Sequence, residues 1–192
     1  MAEEAAIIVP NKVPSGVPRE VPSEFERVFR AYHGLVFRTA YRITGNAADA
    51  EDVAQTVFLR LLRRETGADA LENEESYLRR AAINAALDVI RSRQSDRTVE
   101  LLDLPEPASD DPRELRMALG QALGRALAEL KPRSAEIFTL RFIEGFSNPQ
   151  IAGMLGMSQV LVAVIVHRTR QQLRKALGAY RFNSVQETGH EK

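Results

Sequence analysis

The sequence contains no cysteine and only three histidines, which lie far apart in the chain. The missing thiols exclude disulfide bonds, thiolate nucleophiles and cysteine-ligated metal sites. His33, His167 and His190 do not have the spacing of zinc ligands. The sequence also lacks a glycine-rich phosphate loop and a nucleophile close to a histidine base. We therefore expect no enzymatic activity, no metal or other cofactor, and no small-molecule substrate.

Long hydrophobic runs are missing as well. The longest, Val160–Val166, has seven residues, whereas a membrane-spanning helix needs about 20. The chain does not open with the basic segment and apolar stretch of a secretion signal. With 44% hydrophobic and 27% charged residues, most of the chain should fold. These features predict a soluble, cytoplasmic protein without membrane insertion.

The net charge is zero, but the charges are unevenly distributed. Residues 131–192 carry nine basic and four acidic residues, and residues 157–182 carry five basic residues and no acid. Arg91, Arg93 and Arg97 form a smaller basic cluster in the first half. Two basic patches separated by an acidic stretch are typical of proteins that contact a polyanion at two places. A solvated helix face would give the same pattern.

Proline positions divide the chain. Four of the nine prolines recur at every fourth residue within residues 1–22, which excludes a helix there and predicts a disordered tail. Three more prolines lie in an acidic stretch, and this composition predicts a flexible linker. The predicted fold is all-α, with two small helical modules joined by this linker. The predicted segments are a tail (1–22), a first module (23–94), the linker (95–112), a second module (113–181) and a second tail (182–192).

Seven helices are predicted from apolar residues at three- and four-residue spacing and from capping residues. They span residues 23–44, 47–64, 74–93, 112–130, 132–143, 148–154 and 158–181. The polar segment 65–73 is predicted to be a loop.

The second predicted helix has one apolar and one mixed face. The predicted buried stripe consists of Ala50, Ala54, Val57, Phe58 and Leu61. The opposite face consists of Asp52, Gln55, Thr56, Leu59 and Arg63. A leucine inside a polar rim is typical of a protein-docking surface. A scattered surface leucine is also common, so the pattern leaves both interpretations open.

Residues 147–175 have the pattern of a helix-turn-helix. A short helix carrying Ile151, Ala152 and Leu155 is followed by Gly156 as the turn and Ser158 as the N-cap of a longer helix. The predicted core side of the longer helix is Val162, Val166, Thr169 and Leu173, and the outward side is Val160, Val164, His167, Arg168, Gln171, Arg174 and Lys175. The β-branched run 160–166 would also suit a strand. The capped start and the helical continuation to Lys175 favour a helix.

Three motifs in this order resemble those of the extracytoplasmic-function (group IV) sigma factors of bacterial RNA polymerase. The family's region-two core-binding helix, with its D-A-E-D-x-x-Q-x-x-F run, is similar to GNAADAEDVAQTVFLRLLRR at 45–64. The W-L-x-x-I-A-x-N-x-x-x-D-x-x-R stretch that follows is similar to YLRRAAINAALDVIRSRQ at 77–94. The region-four motif, with its E-G-x-S-x-x-E-I-A-x-x-L-G-x-S end, is similar to LKPRSAEIFTLRFIEGFSNPQIAGMLGMS at 130–158.

The resemblance implies a subunit that binds core RNA polymerase and directs promoter recognition, DNA melting and transcription initiation. Region two would bind polymerase through Asp49, Asp52, Gln55, Thr56, Leu59 and Arg63. It would bind the minus-ten element through a loop at 67–76 and through Arg79, Arg80, Asn84, Arg91 and Arg93. Region four would bind the minus-thirty-five element through Ser158, Val160, Ala163, Val164, His167, Arg168, Gln171 and Arg174. The resemblance also implies an anti-sigma factor as a partner.

The sequence departs from the family pattern at several positions. Tyr77 replaces a tryptophan and Gln150 replaces a glutamate. In the second helix of the helix-turn-helix, Ala163, Val164 and Ile165 replace lysine, serine and arginine. We therefore expect fewer phosphate contacts at the start of this helix. Any base reading by Val160 or Val164 should favour thymine methyl groups.

Two alternatives remain. A stand-alone helix-turn-helix regulator would dimerise through its N-terminal helices, and it would have no use for a docking face around Leu59. An interaction protein would bind an anti-sigma-like partner through Val160 and Val164 without contacting DNA. Such a protein would lack the salt-dependent DNA affinity that phosphate contacts produce.

Overall fold

The computed structural model describes residues 23–63, 73–97 and 112–177. These residues form helices and connecting turns, without a strand, so the all-α prediction is confirmed. The helices are α1 (Ser23–Thr44), α2 (Ala47–Leu62), α3 (Glu74–Arg97), α4 (Pro112–Ala128), α5 (Pro132–Phe142), α6 (Asn148–Leu155) and α7 (Gln159–Ala176). The predicted tails, most of the linker and the loop at 65–72 lie outside the described residues.

Most predicted helix ends differ from the observed ends by one or two residues. The exceptions are α7, which ends at Ala176 instead of residue 181, and α3, which continues to Arg97 instead of ending at residue 93. Its last turn, Gln94–Arg97, contains neither glycine nor proline, so nothing in the local sequence ends the helix earlier. The run Val160–Val166 lies within α7, so the strand interpretation is wrong.

Capping residues define the helix boundaries. The Asn46 side chain accepts a hydrogen bond from the Asp49 backbone N–H (3.2 Å), and Ser158 accepts one from Leu161 (3.2 Å). Ser147 and Gln150 form a reciprocal capping box at the start of α6. The Gln150 side chain accepts the Ser147 backbone N–H at 2.9 Å. Glutamine at position 150 therefore performs the capping that the family's glutamate would provide.

The two modules, α1–α3 and α4–α7, share one continuous hydrophobic core. The largest fully buried side chains are Val28, Val36, Val53, Leu78, Ile83 and Leu87 in the first module, and Leu127, Ile137, Leu140, Ile151 and Val162 in the second. Helix α3 packs against both α4 and α5. A Cβ at Gly124 of α4 would lie 3.8 Å from Cγ2 of Ile90. The sequence predicted each module but not this contact between them.

An ion-pair cluster joins the starts of α1 and α3. The guanidinium of Arg27 donates hydrogen bonds to the carboxylates of Glu24 and Glu74. These hydrogen bonds, the one to Glu24 first, raise the pKa of Arg27 above its ordinary value.

Within the described residues, no single helix has the length and apolar character needed to cross a membrane. Helices α6 and α7 reach that threshold only when they are combined, and they are bent by 111° relative to each other.

Candidate polymerase and nucleic-acid interfaces

The outer face of α2 is exposed as its periodicity predicted. Asp52, Gln55 and Arg63 are exposed, Thr56 is half-buried, and Leu59 is 42% exposed. The opposite stripe, from Ala50 to Leu61, is buried. Leu62 is also 42% exposed, a feature that the sequence analysis did not predict. The face therefore presents two leucines about one helical turn apart within a polar surround.

Asp49, which is predicted to contact polymerase, lies outside this exposed face. It is only 8% exposed, and its carboxylate accepts a hydrogen bond from the Arg93 guanidinium of α3. Helical periodicity could not predict the hydrogen bond between Asp49 and Arg93, because Arg93 lies 44 residues further along the chain. The structure thus joins Asp49, predicted to contact polymerase, to Arg93, predicted to contact DNA.

A groove of about 260 Å³ lies between α2 and α3, beside the α2 face. It is lined by Asp52, Val53, Thr56, Arg60, Ala85, Asp88, Val89 and Ser92. Asp52 and Thr56 belong to both surfaces, so the groove is continuous with the proposed docking face. Nearby on α3, Arg91 donates a 2.9 Å hydrogen bond to Asp88.

Arg79, predicted to contact minus-ten DNA, faces the second module. Its guanidinium donates to the carboxylate of Glu144, which follows α5, and to Glu75 (2.6 Å). It also lies over the ring of Phe146, 5.2 Å from the ring centroid. Glu144 accepts further hydrogen bonds from Thr39 (3.3 Å) and Arg42 (3.2 Å) of α1. Its side chain is completely buried.

Arg80 and Asn84 converge on a second buried carboxylate, that of Glu136 in α5. Glu136 Oε1 accepts from Arg80 Nε (2.9 Å) and Asn84 Nδ2 (3.5 Å), and Oε2 accepts from Arg133 (2.9 Å). Arg80 also donates to the Met154 carbonyl (3.2 Å), and Arg133 donates to the Leu155 carbonyl (3.1 Å). These cations therefore satisfy carbonyl groups at the C-terminus of α6.

Glu136 and Glu144 were missed by the sequence analysis. A signal for Glu136 existed, because it lies between the buried residues Ala135 and Ile137 and one turn from the buried Leu140. A charge at such a position requires a partner.

The predicted loop also needs a correction. Residues 74–76 belong to the first turn of α3, because the Asn73 side chain caps the backbone N–H of Ser76 at 2.8 Å. Residues 67–72 lie outside the described residues.

Every predicted DNA-contacting residue of the helix-turn-helix is exposed. These residues are Ser158, Val160, Ala163, Val164, His167, Arg168, Gln171 and Arg174. Among the large apolar side chains that the structure describes, Val160 is the most exposed, at 74%. Leu161 is exposed too, which was not predicted. Further along α7, His167 and Gln171 are hydrogen-bonded (2.9 Å). The outward face therefore carries exposed apolar side chains in its first two turns and polar or basic side chains thereafter.

Comparisons with known families match both modules. The Sigma-70 region 2 model matches residues 28–96, and the Sigma-70, region 4 model matches residues 120–173. Together these matches cover well over half of the chain.

Relatives of known function match most of the chain. The ECF RNA polymerase sigma factor SigE of Mycolicibacterium smegmatis is 33% identical over 170 residues, which are 84% of this chain and 65% of that protein. The RNA polymerase sigma-E factor of Streptomyces avermitilis is 32% identical over 154 residues, 80% of this chain and 85% of that protein. The RNA polymerase sigma factor CarQ of Myxococcus xanthus is 31% identical over 155 residues, 80% of this chain and 89% of that protein.

Among solved structures, the sigma factor RpoE of Bartonella quintana, in complex with the anti-sigma factor NepR, is similar to this chain. It is 18% identical with a TM-score of 0.46, and the match covers 82% of this chain and 99% of that one. The matches to regions 2 and 4 and the sequence relatives show that the chain belongs to the extracytoplasmic-function family of RNA polymerase sigma factors.

Proposed function

We propose that this chain binds core RNA polymerase, directs it to promoters and assists DNA melting at transcription initiation. In this proposal residues 23–94 act as region two and residues 113–181 act as region four. The observation that carries the proposal is the exposed face of α2, with Leu59 inside a rim of Asp52, Gln55 and Arg63. A stand-alone regulator has no use for this face.

In region two, Leu59 is the proposed apolar anchor for polymerase. Fully burying a leucine side chain contributes about 1.5–3 kcal/mol, and the surrounding polar groups add specificity. The groove between α2 and α3 extends the docking face toward Asp88. Asp49 has a different role in this proposal: through Arg93 it fixes the start of α2 against α3.

The proposed minus-ten surface consists of Arg79, Arg80, Asn84, Arg91 and Arg93 on α3. Melting requires bases to leave the stack, at a cost of a few kcal/mol per base. Cationic side chains offset part of this cost because they hold the phosphates of the separated strand.

In region four, α7 is proposed to enter the major groove at the minus-thirty-five element. Val160 and Val164 cannot hydrogen-bond to base edges, but their methyl groups fit against the C5-methyl of thymine. Arg168 and Arg174 are exposed further along α7, and in this proposal they contact phosphates.

The proposed partners are core polymerase, promoter DNA and an anti-sigma factor, the class of protein bound to RpoE in the Bartonella quintana complex. The polymerase carries out the chemistry, so this chain acts without catalysis of its own. The proposed location is the cytoplasm, where polymerase and promoters are found.

Co-elution with bacterial core RNA polymerase tests the docking face. The wild-type chain should co-elute, and the Asp52→Arg/Leu59→Glu variant should not. Glu129→Arg/Gln121→Glu is the matched control, because it makes the same two charge changes at exposed positions of the second module.

The control variant should bind polymerase like the wild type. If the wild type fails to bind, or if the docking variant binds as well as the control, the proposal is wrong. If the chain dimerises and does not bind polymerase, the result would instead favour the hypothesis of a stand-alone regulator.

A further inference from the structure

Helix α1 carries a cationic and aromatic stripe that the proposed function does not use. Between Glu26 and Asp49 the chain has four arginines, one histidine and no acidic residue. Residues three or four positions apart lie on one side of a helix. One side of α1 therefore carries a continuous stripe of Arg27, Arg30, Gly34, Phe37, Arg38 and Tyr41.

The aromatic part of this stripe is a stacked ring pair. The rings of Phe37 and Tyr41 are nearly parallel, with an interplanar angle of 12° and centroids 6.2 Å apart. Phe37 is half-buried, whereas Tyr41 is 48% exposed. An aromatic ring with an exposed face can accept another flat ring. The pair therefore offers a surface on which a planar ligand group can stack.

Arg38 supplies a positive charge beside the ring pair. It is exposed, and a Cβ at Gly34 would lie only 3.0 Å from its Nη1 atom, so its guanidinium lies back along the stripe. Arg27 and Arg30 are paired with glutamates. Among the residues that the structure describes, Arg38 has no carboxylate at ion-pair distance. Its planar donors are thus available to an external anion, and their geometry suits a phosphate.

The stripe adjoins the proposed minus-ten surface. Arg42, which follows Tyr41, donates a 3.2 Å hydrogen bond to the carboxylate of Glu144. Arg79 of the minus-ten surface donates to the same carboxylate. Only one carboxylate therefore separates the C-terminal end of α1 from the minus-ten residues of α3.

Single-stranded nucleic acid matches both features of the stripe. Unpaired bases stack on aromatic side chains without sequence preference, and cationic groups beside the rings hold the backbone. In a duplex the bases are stacked on one another and their faces are covered. An acidic peptide would use the charge of Arg38 but not the ring pair.

We propose that Phe37, Arg38 and Tyr41 form a binding site for single-stranded DNA, in which a base stacks on Tyr41 and Arg38 contacts a neighbouring phosphate. We call these three residues the α1 stacking site. The inference rests on the proposed function for the identity of the strand, which would be the melted promoter strand next to the minus-ten contacts. Binding to the α1 stacking site itself does not require polymerase.

Tryptophan fluorescence tests the stacking directly. The chain has no tryptophan, so Tyr41→Trp introduces a single fluorophore that can still stack. The probe is a single-stranded oligonucleotide of random sequence, about 20 nucleotides long, added at low salt. It should quench the fluorescence of this variant. Phe142→Trp is the matched control, because Phe142 is also 48% exposed but lies in the second module. Its fluorescence should not change.

Two further probes separate the possible ligands. A duplex of the same length should not quench the Tyr41→Trp variant, because its bases are not free to stack. Polyglutamate, which carries negative charge but no bases, should not quench it either.

Binding of the same oligonucleotide with a fluorescent label separates the two contacts. Tyr41→Ala should weaken binding at least about fivefold, in the range found for the loss of one stacked base, and Phe142→Ala should leave it unchanged. Arg38→Gln should reduce the slope of log affinity against log salt by about 0.7, as expected for one phosphate contact on a single strand. Lys131→Gln removes one exposed charge from the second module and should keep the wild-type slope.

The inference is overturned if the oligonucleotide does not bind the wild type, or if it quenches Tyr41→Trp no more than Phe142→Trp. Equal quenching by the duplex or by polyglutamate overturns it too, as does wild-type affinity of a folded Tyr41→Ala variant. If circular dichroism shows that Tyr41→Ala has lost helix, the fluorescence of the tryptophan variants decides the matter. Failure of the chain to co-elute with polymerase would remove the proposed function but not the α1 stacking site, so the two failures can be told apart.

Discussion

Asp49 and Asp52 lie three residues apart on α2, yet their environments differ. Asp52 is exposed on the proposed docking face, while Asp49 is buried and hydrogen-bonded to Arg93. The sequence analysis assigned both to polymerase binding. We now expect Asp52 to contact polymerase and Asp49 to stabilise the packing of α2 against α3 through Arg93.

Alanine substitutions should separate these two roles. Asp49→Ala should lower the free energy of unfolding by about 1 kcal/mol, because it removes a charge-assisted hydrogen bond to a half-exposed arginine. It should leave polymerase affinity nearly unchanged. Asp52→Ala should weaken polymerase binding with little effect on stability. Urea unfolding and a polymerase-binding titration measure both effects, and equal losses of stability would contradict this assignment.

The proposed contact of Val160 and Val164 with thymine can be tested by changing the base. If they contact thymine methyl groups, replacing thymine by uracil in a selected minus-thirty-five duplex removes the partner and nothing else. Each contacted methyl contributes about 0.8 kcal/mol, so affinity should fall about threefold to fourfold per methyl.

The matched control for this prediction is Val160→Ala/Val164→Ala, which should bind the thymine and uracil duplexes equally. The measurement is a fluorescence titration at fixed salt. Equal affinity of the wild-type chain for the two duplexes would show that these valines do not read thymine.

At the scale of elements, the α6–α7 turn depends on the backbone of one glycine. Gly156 has φ = 61°, in the left-handed region, and its N–H caps the end of α6. Gly153, three residues earlier, lies within α6, and a Cβ built there meets nothing within 4 Å. Position 156 therefore requires a glycine for its backbone conformation, whereas position 153 can accept a larger residue.

The same substitution should therefore have opposite effects at these positions. Gly156→Ala should destabilise the chain by about 1–2 kcal/mol, because a Cβ is strained in the left-handed region. Gly153→Ala should stabilise it by up to about 1 kcal/mol, because alanine favours a helix interior. Thermal or urea unfolding of both variants checks the signs, and destabilisation by Gly153→Ala would show that α6 is packed differently.

The elements themselves were largely predictable from local sequence. The spacing of Ala50, Val57 and Leu61 predicted helix α2 and its buried face, and Ser158 predicted the start of α7. These signals act within one or two helical turns. The end of α3 was less predictable, since its last turn has weak periodicity and no stop residue.

At the scale of the whole molecule, the packing of the two modules could not be predicted from the sequence. Arg79 and Glu144 are 65 residues apart, and Arg80 and Glu136 are 56 residues apart. Helical periodicity identifies which residues face inward but not which distant partner each one meets. The family resemblance predicted which residues contact the minus-ten element. Only the structure shows that Glu136 and Glu144 accept hydrogen bonds from three of them.

The most direct measurement of the central claim is transcription from a library of random-sequence DNA by core polymerase, with and without this chain, followed by sequencing of transcript starts. We expect new starts at a fixed distance downstream of a shared two-part motif, and we expect the Asp52→Arg/Leu59→Glu variant to lose these starts. Transcript starts identical to those of core polymerase alone, obtained with a folded wild-type chain, would contradict this expectation.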